Sequence, residues 1–213
     1  GPAPTPASLA AAWNFDPWLL VALGCLWVLM AATGAPSPGN AAVGPSAAAA
    51  RRLNGVAALA VLLVAFVSPL CAASTALFSA RVAHHVLLIA VAAPLLAIAL
   101  QHALSGIPRL PLTLLVGIHA MVVWFWHIPG VYEVAVVGAL PYWAMQVSLL
   151  ASSVLLWRTV FDQRTGAGEA SLALLATVIQ MGMLGALLTL AGDALYQPHR
   201  TTTLAFGLTP LAD

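Results

Sequence analysis

Six mostly apolar stretches, separated by short polar punctuation, organise this chain: about Trp18 to Ala32, Leu53 to Leu70, Val82 to Leu100, Leu110 to Trp126, Tyr142 to Trp157 and Ser171 to Leu190. A helix of about 20 apolar residues crosses the roughly 30 Å hydrocarbon layer of a bilayer. No period-2 alternation runs through these stretches, so they predict helices rather than the strands of a barrel. A bilayer admits only those two solutions, because both satisfy their own backbone groups. GAPSPGN at 34–40, SGIPRLP at 105–111 and DQRTGAG at 162–168 carry the Gly, Pro and polar residues of loops. AAAA at 47–50, just before Arg51 and Arg52, reads as a helix start. The expected fold is therefore all-α, a polytopic transmembrane helix bundle forming one integral membrane domain over residues 1–213. The tail TTTLAFGLTPLAD at 201–213 is apolar but too short to span, and is expected to lead into a seventh helix with Asp213 at its mouth.

Composition supports lipid as the main solvent. Charged residues make up 6% of the chain and apolar residues 62%, with no lysine, against about 25% charged in an ordinary soluble domain. So few charges cannot cover a water-facing exterior. The seven arginines are scattered and give no nucleic-acid footprint. Their sidedness does inform: Arg51, Arg52, Arg109, Arg158 and Arg164 fall between runs on one side, and only Arg81 and Arg200 on the other. The excess of arginine marks the cytoplasmic side, which puts the N-terminus outside. Cys25 and Cys71 fall at different depths and form no CxxC, so both read as small packing residues rather than a disulfide or a thiolate clip.

The outer rim then collects the candidate chemistry. His84, His85, His127 and His199 all fall there, at the ends of three separate runs, among Trp13, Trp18, Trp124, Trp126, Tyr132 and Tyr196. The aromatic residues read as interface anchors. Imidazole suits copper, zinc and haem iron, and Met145, Met181 or Met183 could add a thioether to a copper site. On a helix Arg81 and His85 share a face while His84 points about 100° away, which makes His85 the better ligand of the adjacent pair. His119 lies about 12 Å inward from His127, near mid-membrane, where an ionisable group faces the bundle interior. It reads as an interhelical hydrogen bond before a relay or a ligand. Pro94 is expected to kink the third run and free a carbonyl for another partner, and His102 reads as a residue of the opposite interface.

FDPW at 15–18, FSARVAHHVLLIAVAAPLL at 78–96, WHIPGVYEVAV at 126–136, LLTLAGDALYQPH at 187–199 and LTPLAD at 208–213 resemble the CtaG-type cytochrome c oxidase assembly proteins over nearly the whole chain. The resemblance implies a protein of about seven helices in the bacterial inner membrane that assists maturation of a haem-copper oxidase, at the step of copper delivery or insertion. It implies metal contacts from His85, His127 and His199; on position alone, His84, His119 and Asp213 are weaker candidates. Asp16, Pro94, Tyr132 and Tyr196 fit the family pattern too. Where the family opens its third helix with histidine this chain has Arg81, and its Glu-His pair in the fifth helix falls near Met145 and Gln146. Arg81, Tyr132 and Tyr196 are then expected to meet a partner, since an arginine repels a cation and takes a carboxylate or a haem propionate.

Three functions compete on these grounds: an assembly factor that carries copper at the outer face, a metal-free accessory or scaffold subunit bound to the oxidase, and a haem-binding or copper-importing membrane protein. Copper is the first cofactor expected and haem the second. Oxidase subunits and the bilayer are the partners. The chain has no nucleophile elbow, phosphate loop or HExxH, so no enzyme activity is expected.

Overall fold

The computed structural model describes residues 3–34 and 45–213, and every described element is helical. In chain order these are α1 (Pro6–Leu9), α2 (Pro17–Gly34), α3 (Pro45–Phe66), α4 (Pro69–Ala76) and α5 (Phe78–Val86). A π-helical turn (Leu87–Ala92) joins α5 to α6 (Ala93–Ala99), and a 3-10 turn (Ala103–Gly106) follows. Then come α7 (Leu112–Trp126), α8 (Pro129–Val137), α9 (Ala139–Val160), α10 (Ala167–Thr189) and the short α11 (His199–Thr202), which runs into a 3-10 turn (Thr203–Phe206). Most of the expected GAPSPGN loop lies outside the described residues.

All six apolar runs form helices, with boundaries set by local chemistry. The second helix starts at Pro45, eight residues before the expected run, because the Ala47 to Ala50 tract and Arg51 continue it; alanine is the best helix former. Arg51 and Arg52 therefore lie inside α3, not in a loop. It ends before Leu70 because Pro69 begins α4, capped by the Ser68 hydroxyl, which accepts from Leu70 N–H at 3.2 Å. Asp16 performs the same task for α2, accepting from Leu19 N–H at 3.0 Å.

Among the described residues, four helices are long and apolar enough to cross a membrane: Ser46–Phe66, Phe78–Ala99, Ala139–Val160 and Ala167–Thr189. Leu112–Trp126 and Pro129–Val137 make a fifth if counted together, although they bend by 75° at the break, and the shorter apolar helix Pro17–Thr33 falls below that length. The bend follows from Pro129, which cannot continue α7 and is well placed at the first position of α8.

The π-helical turn accommodates Pro94. In i→i+5 bonding the missing proline N–H would have served Ile89, and Trp157 Nε1 of α9 donates to that carbonyl at 2.9 Å. The freed carbonyl is thereby satisfied, and the span Phe78–Ala99 stays continuous.

Helix packing runs from α2 to α3, α3 to α6, α6 to α9, α9 to α7 and α7 to α10. The middle of that row is sealed by Leu62, Leu88, Leu96, Leu149 and Leu156. The outermost helix, α10, is apolar nearly all round, yet only 17% of its apolar window is buried, which fits a lipid-facing surface. The N-terminal strap closes one end of the bundle: Asn14 N–H donates to the Val67 carbonyl at 2.9 Å and its amide to Phe66 at 3.1 Å. Cys25 is exposed on α2 and Cys71 lies beside Tyr142, and both are free thiols.

Candidate functional site

At the end of the bundle where α3 finishes and α5 begins, α4, α8 and α11 lie as short helices over the main ones. Arg81 is the hub. It is fully buried, and its Nε donates to the Ser74 carbonyl of α4 at 2.9 Å. Its guanidinium lies 5.8 Å from the Tyr132 ring centre and 5.7 Å from that of Tyr142. Each cation–π contact, desolvated, contributes about 2 kcal/mol. Both terminal nitrogens lack a hydrogen-bond partner, and the sole ion pair among the described residues joins Arg109 to Asp162 at the other end.

One turn along α5 the adjacent histidines diverge as helix geometry requires. His84 turns toward α3 and packs edge-on against Phe66, ring centres 5.1 Å apart. His85 turns toward α7 and meets His127 with ring centres 5.9 Å apart. Neither ring nitrogen of His85 has a partner. His127 Nδ1 donates to the Val123 carbonyl at 2.6 Å; a carbonyl only accepts, so the proton is on Nδ1 and the lone pair on Nε2. His85 and His127 line a small cavity of about 90 Å3 with Met181 and Leu184 of α10. Of the methionines considered for a thioether, Met181 alone lines it; Met145 is packed in the core and Met183 faces outward.

His199 is placed differently. Its Nδ1 donates to the Ala76 carbonyl at 3.2 Å, and its Nε2 accepts from the Tyr132 hydroxyl at 2.6 Å. Both nitrogens are spent, and the ring is neutral. Burial, reinforced by Arg81 and opposed by the Ala76 bond, lowers its pKa below the usual 6.5. Around it Tyr132 and Tyr196 stack with ring centres 4.0 Å apart, Phe78 packs on both, and Tyr196 donates to the His127 carbonyl at 2.9 Å. Burial also raises the Tyr196 pKa. Tyr132 thus contacts both Arg81 and Tyr196, and all three are buried.

Asp213 folds back onto the start of α5. Its carboxylate accepts from the backbone N–H groups of Phe78 at 2.6 Å and Ser79 at 3.1 Å, and from the Ser79 hydroxyl at 2.6 Å. That arrangement is a helix cap supplied from a distant part of the chain. His119, at mid-bundle, makes an interhelical hydrogen bond from Nδ1 to Ser152 Oγ of α9 at 3.0 Å. His102 lies at the opposite end, lining a separate cavity.

The structure therefore gathers His84, His85 and His127 around Arg81, and separates His199 and Asp213 into fastening roles. Among the described residues no group of three His, Cys, Asp or Glu side chains comes together to hold a metal ion. His199, with both nitrogens bonded, is not free to join a three-histidine site, whereas His85, His127 and the Met181 thioether line one cavity. Ser74 and Tyr142 were not legible as members of the site. Ser74 belongs to a short helix that no long apolar run announces, and Tyr142 marks only the first residue of an apolar run in the sequence.

An all-helical bundle whose exposed surface is apolar, with a buried polar cluster at one end, defines a polytopic membrane protein. The family model described as cytochrome c oxidase caa3 assembly factor (Caa3_CtaG) matches residues 26–213, and the chain belongs to that family. No curated protein and no solved structure matches it.

Proposed function

We propose that this chain is an assembly factor for a haem-copper oxidase in the bacterial inner membrane, and that it carries copper as cargo at the outer face. It forms one integral membrane domain of six crossings, one each for α2, α3, α5 with α6, α7 with α8, α9 and α10. The N-terminus and the histidine end are outside, which the excess of arginine at the other end supports. The protein is not an enzyme in this reading; it binds, positions and releases.

One observation carries the copper reading: His85 and His127, rings 5.9 Å apart, share a cavity with Met181 while His85 has both nitrogens unpartnered and His127 keeps Nε2. Two imidazoles and a thioether suit Cu(I), a soft ion content with few ligands. The buried Arg81 charge nearby opposes any cation, so affinity is modest, which suits transfer rather than storage. Haem is supported less, because a cavity of about 90 Å3 is far smaller than the roughly 300 Å3 or more of ordinary ligand pockets.

Titration of the purified protein with Cu(I) and with Cu(II), beside the H85A/H127A double variant, tests this. Wild type binds one Cu(I) and the variant none; equal stoichiometry in the two refutes it. Arg81 itself favours the second reading, a metal-free scaffold bound to the oxidase. Under that reading, association with oxidase subunits in detergent is stoichiometric and survives chelation.

A further inference from the structure

The end of the bundle remote from the histidines holds a second cavity, of about 430 Å3, between the last turns of α6 and α9 and the loops that follow. Its polar lining includes Gln101, His102, Arg109, Arg158, Asp162 and Arg164. Three guanidinium groups thus meet one carboxylate. Asp162 is already committed: it accepts from the backbone N–H of Arg164 at 3.0 Å and from Arg109 Nε at 2.6 Å. Those contacts hold its carboxyl below the usual carboxylate range. Arg158 spends Nη2 on the Ile107 carbonyl at 3.0 Å. The Arg164 guanidinium makes no hydrogen bond or ion pair among the described residues.

An excess of two positive charges therefore remains in a concave site where the spans Phe78–Ala99 and Ala139–Val160 end. Guanidinium forks match phosphate oxygens in geometry and charge. A second property is apolar surface: Phe161 lines the cavity and is exposed, as are Ile107, whose carbonyl accepts from Arg158, and Leu110, next to Arg109 in the chain. A free phosphate ion makes no use of an apolar rim, whereas acyl chains do. Basic pockets at the ends of transmembrane helices take anionic headgroups for these reasons.

We propose that this cavity seats the phosphate of an anionic phospholipid from the adjoining leaflet, gripped by Arg158 and Arg164, with its acyl chains lying along Ile107, Leu110 and Phe161. The site is independent of the copper reading and fastens the α6–α7 and α9–α10 loops to the membrane surface.

The full chain, delipidated in a neutral detergent, is mixed with phosphatidylglycerol, with phosphatidylcholine or with inorganic phosphate; retained lipid is read by native mass spectrometry and stability by thermal melting. Phosphatidylglycerol is retained and raises the melting temperature, and the other two do neither. The preference falls about fivefold for each arginine removed in R158Q and R164Q. Because Arg164 has no internal partner, R164Q leaves the fold intact and keeps the test valid if R158Q disturbs its loop. Equal retention of the two lipids, or an unchanged preference in R164Q, overturns the proposal. Phosphate alone reproducing the melting shift reassigns the site to a free anion, and an acidic peptide displacing the lipid at equal concentration reassigns it to a protein partner; either result overturns the lipid.

Discussion

Replacing Tyr132 with phenylalanine isolates the bond that ties α8 to the C-terminal tail. The ring stays, with its stack on Tyr196 and its contact with Arg81; only the hydroxyl that donates to His199 Nε2 at 2.6 Å is lost. His199 is buried and its Nδ1 is held by Ala76, so the ring cannot turn to find another partner without breaking that bond. The cost is that of an unsatisfied buried acceptor, about 1–3 kcal/mol. Tyr132→Ala removes the fully buried ring as well and costs about 3–5 kcal/mol. Reversible unfolding in mixed micelles reads both. A double-mutant cycle with His199→Phe sharpens the result: the coupling between positions 132 and 199 exceeds about 0.5 kcal/mol if the bond is present. A Tyr132→Phe variant within about 0.3 kcal/mol of wild type, with no coupling, refutes the reasoning.

Two further outcomes follow from the same end of the bundle. Asp213→Ala removes the remote cap of α5 and costs about 0.5–2 kcal/mol; hydrogen exchange at the Phe78 and Ser79 amides accelerates, and unchanged protection there counts against the cap. His199 titrates below its unfolded value of 6.5, so its contribution to stability is complete above pH 6.5 and declines as the pH falls from 6.5 toward the folded pKa. Melting at pH 7.5 and pH 5 in wild type and in His199→Phe reads this, and an equal loss in both contradicts it.

Much of the architecture was legible from pattern alone, because lipid leaves the backbone few choices. The apolar runs became helices, and Pro94 announced a freed carbonyl, although not that Trp157 would fill it. The short helices were not legible. α4, α8 and α11 are four to nine residues long, too short for hydrophobic periodicity to reveal, and each depends on a proline at its start and on neighbours to pack against. The bend between α7 and α8 was hidden for the same reason: what reads as a helix exit is a helix pair meeting at 75°.

At the site, sequence placed four histidines at one end but could not rank their nitrogens. A ring at a helix end looks the same whether free or bonded, and only tertiary contacts between residues 67 apart, as in Tyr132 and His199, distinguish them. By itself the sequence determined the solvent, the helical class, the family motifs and the end of the bundle at which polar side chains collect, since these depend on composition and local spacing. The tertiary structure alone decided that His199 and Asp213 fasten the tail, that His85 and His127 share a cavity with Met181, and that Arg81 stands buried between two tyrosines. Each of those outcomes is a long-range contact, fixed by which helix faces meet.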